Sequence, residues 1–125
     1  MTLLNKRRVG AEYEEIAADY MLRHGYKILE RNYHNRYGEL DIIAEKDNVL
    51  IYTEIKFRRG KEYGGPLEAV DIRKQRRISR AAAYHYAGHG ALSDKPCRFD
   101  VIGIYGDGSI RHIENAFFYQ GRHYS

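Results

Sequence analysis

Two short runs of strand-forming residues, 37–44 and 49–57, flank the turn-prone Glu45-Lys46-Asp47-Asn48, and no other feature narrows the fold of this chain as far. Both runs are rich in Ile, Val, Tyr and Thr, so the segment reads as a β-hairpin. Strand side chains alternate between faces, which puts Glu54 with Lys56 and Glu39 with Asp41. With Asp47-Asn48 as a two-residue turn, Asp41 falls opposite Glu54 and Glu39 opposite Lys56, and all four polar groups share one face. Leu40, Ile42, Ala44, Ile51, Thr53, Ile55 and Phe57 take the other face, as a strand packed on a core requires. A slip of one residue would separate Asp41 from Glu54.

Directly opposed carboxylates destabilise a sheet by about 0.2 to 1 kcal/mol unless positive charge lies between them. A divalent cation, Mg²⁺ or Mn²⁺, is the natural counter-charge, because Mg²⁺ is commonly held by one or two carboxylates, with waters and phosphate oxygens completing its octahedron. Asp41 and Glu54 are therefore candidate metal ligands, and Lys56 joins them as a candidate catalytic residue. Glu39 reads either as a further ligand or as an ion-pair partner of Lys56. Glu-x-Lys alone fits an ordinary solvated strand better than a catalytic one; the Gly38-Glu39-Leu40-Asp41 partner strand reverses that balance.

Around this hairpin, Val9, Tyr13, Ile16, Ala17, Tyr20 and Met21 recur at helical spacing before Gly25, which predicts a helix over residues 5–24. Tyr26-Lys27-Ile28-Leu29 opens a first strand, continued by Arg31-Asn32-Tyr33. A glycine loop over 60–65 ends in Pro66, and a second helix is predicted over 67–87. Residues 97–105 and 110–113 read as fourth and fifth strands around the turn Gly106-Asp107-Gly108-Ser109. The order helix, three strands, helix, two strands predicts an α/β sandwich, a mixed sheet flanked by helices. The 125 residues, 43% of them hydrophobic, suit one domain spanning 1–125. No stretch resembles a membrane span, and the N-terminus lacks an apolar leader, so no membrane partner is expected. The lone Cys97 excludes an internal disulfide and fits a cytoplasmic location.

The formal net charge of +4 is unevenly spread: nine Lys/Arg stand against three acids between Lys56 and Arg80, while the rest of the chain holds twelve against fourteen. A basic segment beside paired carboxylates points to a polyanion, nucleic acid, held next to a metal site. Arg58, Arg59, Lys74, Gln75, Arg76 and Arg77 are the candidate phosphate contacts. No base-reading motif stands out, so selection by nucleic-acid shape is expected over selection by sequence. Tyr63 is the tyrosine best placed to stack on an unpaired base. His85 and His89 read as cations or surface groups at a helix C-terminus, and Asp100 as a structural partner of Arg98. The apolar tail Ala116-Phe117-Phe118-Tyr119 either packs on the domain or supports a homodimer.

Six blocks carry a resemblance to the bacterial YraN family: Arg31-Asn32-Tyr33, residues 38–44, Glu54-Ile55-Lys56-Phe57-Arg58, Arg73-Lys74-Gln75-Arg76-Arg77, Arg98-Phe99-Asp100-Val101 and Glu114-Asn115-Ala116-Phe117. The resemblance implies a restriction-endonuclease-like fold and a place in the nuclease superfamily that includes Holliday junction resolvases, with DNA as the expected substrate. It implies that Asp41 and Glu54 hold Mg²⁺ while Lys56 positions or activates the attacking water. A helix Glu adds a ligand in the resolvase branch, which falls on Glu14, although Tyr13 stands where that family has Gly. Acids near a helix N-terminus are also favourable with its dipole without any chemistry. The expected function is a metal-dependent, structure-selective nuclease; the alternative is a non-catalytic nucleic-acid binding module on the same scaffold.

Overall fold

A computed structural model describes residues 3–58, 70–89 and 94–121, with the side chains of the first helix described from Gly10 onward. Arg59, Lys61, Tyr63 and the loop 60–65 lie outside the described residues. Helix α1 (Leu3–Arg23) leads into strands β1 (Lys27–Asn35), β2 (Gly38–Lys46) and β3 (Val49–Arg58), followed by helix α2 (Ile72–His89) and strands β4 (Cys97–Tyr105) and β5 (Ile110–Phe117). The strands form one open mixed sheet in chain order, with β3 and β4 parallel and the other neighbours antiparallel. Parallel neighbours need a crossover, and α2 lies within the segment that makes it. The α/β order read from the sequence is the order found.

Local chemistry sets the boundaries. Gly25 closes α1 with a φ of 85. Its amide donates to Leu22 O at 3.2 Å and the Tyr26 amide donates to Met21 O at 3.0 Å, a Schellman cap. The sequence suggested that the second helix starts at 67, but α2 begins at Ile72 because Asp71 caps it. The Lys74 amide donates to Asp71 Oδ1 at 2.9 Å, and the Gln75 amide donates to Asp71 O at 2.9 Å. Asp47 and Asn48 both have positive φ, 53 and 64, as a two-residue type I′ turn demands. Strand β5 runs further than residues 110–113: Phe117 is its last residue and pairs with Phe99, their rings stacked at 4.9 Å. Phe118 beyond it is exposed. Among the described residues, no helix is long and apolar enough to cross a membrane.

The sheet is buried on both faces. Against α1 lie Ile42, Ala44, Ile51, Ile102 and Ile104, meeting Ala17, Ala18 and Met21. Against α2 lie Leu40, Ile43, Leu50, Tyr52, Phe99 and Val101, meeting Ile78, Ala81 and Ala82. Leu40 therefore sits on the α2 side and not, as strict alternation suggested, on the side of Ile42. The reason is a break in both strands: Asn32, between the pairs Arg31↔Ile42 and Tyr33↔Leu40, has a φ of 53. Before it, Arg31 reaches Glu15 of α1 at 2.8 Å; after it, Tyr33 packs with the α2 cluster. The parity of both strands changes across Asn32 and the residue facing it in this register, Asp41.

Two polar networks are buried in these layers. His85 is not a surface cation: it is 3% exposed, with Nδ1 3.0 Å from the Tyr52 hydroxyl and Nε2 3.1 Å from Glu30 Oε2. Burial, and then His89, hold its pKa below the ordinary histidine value against the pull of Glu30. On the α1 side, Asp100 accepts from Arg98 Nε at 3.0 Å and Nη2 at 3.1 Å, and from the Asn115 amide at 3.0 Å. His112 Nε2 lies 2.7 Å from Asp100 and Nδ1 lies 3.1 Å from the Tyr20 hydroxyl. Burial alone would raise the Asp100 pKa, but His112, Arg98 and the amide together hold it below the usual carboxylate value. This ties β4, β5 and α1 together and bears out the structural reading of Asp100.

Candidate active site

The β2–β3 ladder follows the expected register from Lys46↔Val49 to Ile42↔Thr53 and ends there. Asp41 and Glu54 are thus not cross-strand partners, nor are Glu39 and Lys56. Beyond that point β2 stays with β1 through Leu40 and Glu39, while β3 stays with β4 through Glu54↔Val101 and Lys56↔Gly103. The strands part, and Asp41 Oδ2 accepts the Ile55 amide at 2.8 Å in place of a ladder partner.

The gap is the cleft. It has a volume of about 230 Å³ and is lined by Gly38, Glu39, Asp41, Glu54, Lys74, Arg77 and Ile78. The sheet supplies the carboxylates and α2 lays its first turns over them. Glu54 is 6% exposed, with Lys74 Nζ 2.9 Å and Lys56 Nζ 3.5 Å from its Oε1. Burial, and then the Glu54 charge, push the Asp41 carboxyl up to about 7, against the Ile55 amide and Lys74, which favour its ionised form. Lys56 is lowered by burial and next by its contact with Lys74. Burial works against the charge on Lys74 too, but its contacts with Lys56 and Glu54 raise it on balance.

Asp41, Glu54 and Lys56 are therefore brought together. Glu39 lines the cleft at its exposed rim, in register with His34 and not paired with Lys56. Glu14 is half-buried on α1 and does not line the cleft, yet its charge is among those that raise Asp41. Tyr13 fixes this turn of α1 near the end of β3 by stacking on Phe57 at 4.0 Å and 13°. Tyr13, which stands where the resemblance leads one to expect Gly, thus has a packing role of its own. Of the basic candidates, Arg77 reaches the cleft, Arg76 is exposed, and Arg58 is half-buried at the end of β3. Gln75 donates to Val70 O at 3.0 Å. Lys74, read from sequence only as a phosphate contact, is directly on Glu54. The signal for this was Asp71: as N-cap it fixes the helix start and so sets Lys74 in the first turn.

No three His, Cys, Asp or Glu side chains form a ready-made metal cage among the described residues. Mg²⁺ does not need one, since one or two carboxylates with waters and substrate oxygens suffice. Asp41 and Glu54 line the same cleft, and burial, then the Glu54 charge, raise the Asp41 carboxyl to about 7, a shift that a cation between the two carboxylates would oppose. The donor set fits a hard divalent cation.

An open five-stranded mixed α/β sheet covered by two helices, carrying this cleft where two strands part, defines the class of protein. Within it the chain belongs to the uncharacterised protein family UPF0102, the YraN family, whose pattern it matches over residues 13–104. It is 43% identical over 114 residues to a UPF0102 protein of Lachnoclostridium phytofermentans, covering 91% of this chain and 96% of that one. A UPF0102 protein of Symbiobacterium thermophilum is 45% identical over 115 residues, covering 89% and 97%. One from Alcanivorax borkumensis is 39% identical over 120 residues, covering 93% and 96%.

Proposed function

We propose that the protein is a metal-dependent nuclease that hydrolyses phosphodiester bonds of nucleic acid, DNA above all, selecting by structure and not by sequence. The observation that carries this reading is the cleft where Asp41 and Glu54 converge beside Lys56, with Lys74 and Arg77 over it. Asp41 and Glu54, with Glu14 and Glu39 as further candidates, would hold Mg²⁺ or Mn²⁺, which would supply Lewis-acid polarisation of the phosphoryl group and a water of lowered pKa. The depressed pKa of Lys56 suits its Nζ to hold the attacking water or take its proton. Lys74 and Arg77 then meet the charge that develops on the phosphate, and Arg76 and Arg58 position the flanking backbone without reading bases.

The test is cleavage of branched, single-stranded and duplex DNA and RNA with Mg²⁺ or Mn²⁺, comparing the native chain with Asp41→Ala and Glu54→Ala. Metal-dependent cutting by the native chain alone is the expected result. One observation favours a second reading, a binding module without catalysis: Lys74 and Lys56 already neutralise Glu54 without any metal. Binding of these ligands without cleavage, unchanged in both variants, would establish that reading and remove the first.

A further inference from the structure

Beside the cleft, the β1–β2 turn and helix α2 each carry an aromatic side chain that its chemistry leaves unused. Tyr37 and Tyr84 are exposed aromatics, 37% and 56% accessible, whose rings meet at 5.9 Å and 51°. Arg36 Cζ lies 4.9 Å from the centre of the Tyr37 ring, and its Nη2 donates to the Tyr37 hydroxyl at 2.9 Å. The result is an open aromatic corner edged by a guanidinium. Packing does not account for it, because neither ring belongs to either core cluster.

The corner is continuous with the cleft by two routes. Along the sheet, Tyr37 precedes Gly38, which lines the cleft and packs against Arg77 and Ala81 of α2. Along the helix, Arg73, Arg77, Arg80 and Tyr84 recur at i, i+4, i+7 and i+11, a single stripe, and all four are exposed. None of the ion pairs among the described residues involves these three arginines. From Arg77 at the cleft to Tyr84 is two helical turns, about 10.5 Å, or about three nucleotides of a stacked strand at its rise of about 3.4 Å.

We infer that this stripe is a track for single-stranded nucleic acid, in which the arginines follow the phosphates and the Tyr37–Tyr84 corner stacks an unpaired base about three nucleotides from the cleft. The inference rests on the nucleic-acid reading above and narrows it: the substrate carries an unpaired stretch, as in a flap, an overhang or a loop. Unspecific stacking of this kind is sequence-tolerant because every base has a π-face. The stacking expected from sequence at Tyr63, which lies outside the described residues, is not needed for it.

The test is fluorescence anisotropy in EDTA, without cleavage, using a labelled single-stranded oligodeoxynucleotide and an abasic strand of equal length. The native chain should prefer the base-bearing strand. Tyr84→Ala should weaken that complex about tenfold and leave abasic binding unchanged, with Tyr84→Phe retaining the preference. Arg77→Ala and Arg80→Ala should weaken both strands alike and flatten the salt dependence. A native chain that does not distinguish the two strands, or a Tyr84→Ala that weakens both equally, overturns the inference. Discrimination by a protein that cuts nothing upholds it and sinks the nuclease reading, whereas cleavage without discrimination does the reverse.

Discussion

Asp41→Asn should make the protein more stable and less able to bind metal, and the two effects share one cause. The Asp41 carboxyl is pushed from 3.8 up to about 7 by burial and then by Glu54. Each pKa unit is worth about 1.4 kcal/mol, so an ionised Asp41 costs the metal-free fold up to about 4 kcal/mol, and about 2 to 3 after allowing for partial solvent access. The cost has a defined pH window. Below 3.8 the carboxyl is protonated in both folded and unfolded chains and there is none. As pH rises from 3.8 through about 7, the unfolded chain ionises first and stability is lost; above about 7 the loss is complete. Asparagine keeps an oxygen for the Ile55 amide and cannot ionise, so the variant should match the native chain near pH 4 and exceed it by about 2 to 3 kcal/mol at pH 8 in EDTA. Mg²⁺ should reverse the order, because binding to the folded state alone stabilises the native chain by mass action and the variant has lost a ligand. Urea denaturation at both pH values, with EDTA or Mg²⁺, measures all of this. Equal stabilities at pH 8 in EDTA, or a Mg²⁺ response undiminished in Asp41→Asn, would refute the reasoning.

Lys74→Met should lower stability by about 1 to 2 kcal/mol in EDTA, because buried Glu54 is left with Lys56 alone and Lys74 was itself partly solvated. Mg²⁺ should then recover more stability in this variant than in the native chain, a competing ammonium having gone; both are read by denaturation with and without metal. Asp100→Ala should cost about 3 to 5 kcal/mol by leaving Arg98, His112 and the Asn115 amide without their acceptor, while the folded fraction still binds nucleic acid. In the native chain the Asp100 contribution is present above 3.8 and lost as pH falls below that value, since its folded pKa is depressed. Gly25→Ala should cost about 1 kcal/mol, set by the positive φ at the end of α1, with an unchanged far-ultraviolet spectrum in the absence of denaturant.

What could be read from sequence was what neighbouring residues decide among themselves. Asp47-Asn48 fixed the hairpin turn, and the turn fixed the register as far as Ile42↔Thr53. Gly25 marked the end of α1. Glu54, Lys56 and Tyr52 share a strand face because alternation on β3 is uninterrupted. Legibility stopped where a distant group intervened. The change of parity across Asn32 and Asp41 has no periodic signature, since asparagine adopts positive φ in some contexts and not in others. Strand β5 was cut short because His112, Glu114 and Asn115 look like a loop until Asp100 accepts the His112 ring and the Asn115 amide. His85 looked like a helix-end cation because nothing near it in sequence announces the Tyr52 hydroxyl or Glu30.

The same break that sequence could not show is what makes the cleft. If β2 and β3 continued their ladder past Ile42↔Thr53, the Ile55 amide would be bonded to β2 backbone and the Asp41 side chain would project from the sheet face beside Glu54. With the strands parted, Asp41 turns in to accept that amide, and α2 gains room to bring Lys74 and Arg77 over the gap. An isolated ladder defect would leave a buried donor unsatisfied, at a cost of about 1 to 3 kcal/mol, and would be closed by any sequence free to close it. A carboxylate that satisfies the donor keeps the defect open, and a second carboxylate beside it makes the opening electrostatically demanding. Fold and site are therefore one feature here: the residue that props the strands apart is also the residue whose charge state governs what the cleft can hold.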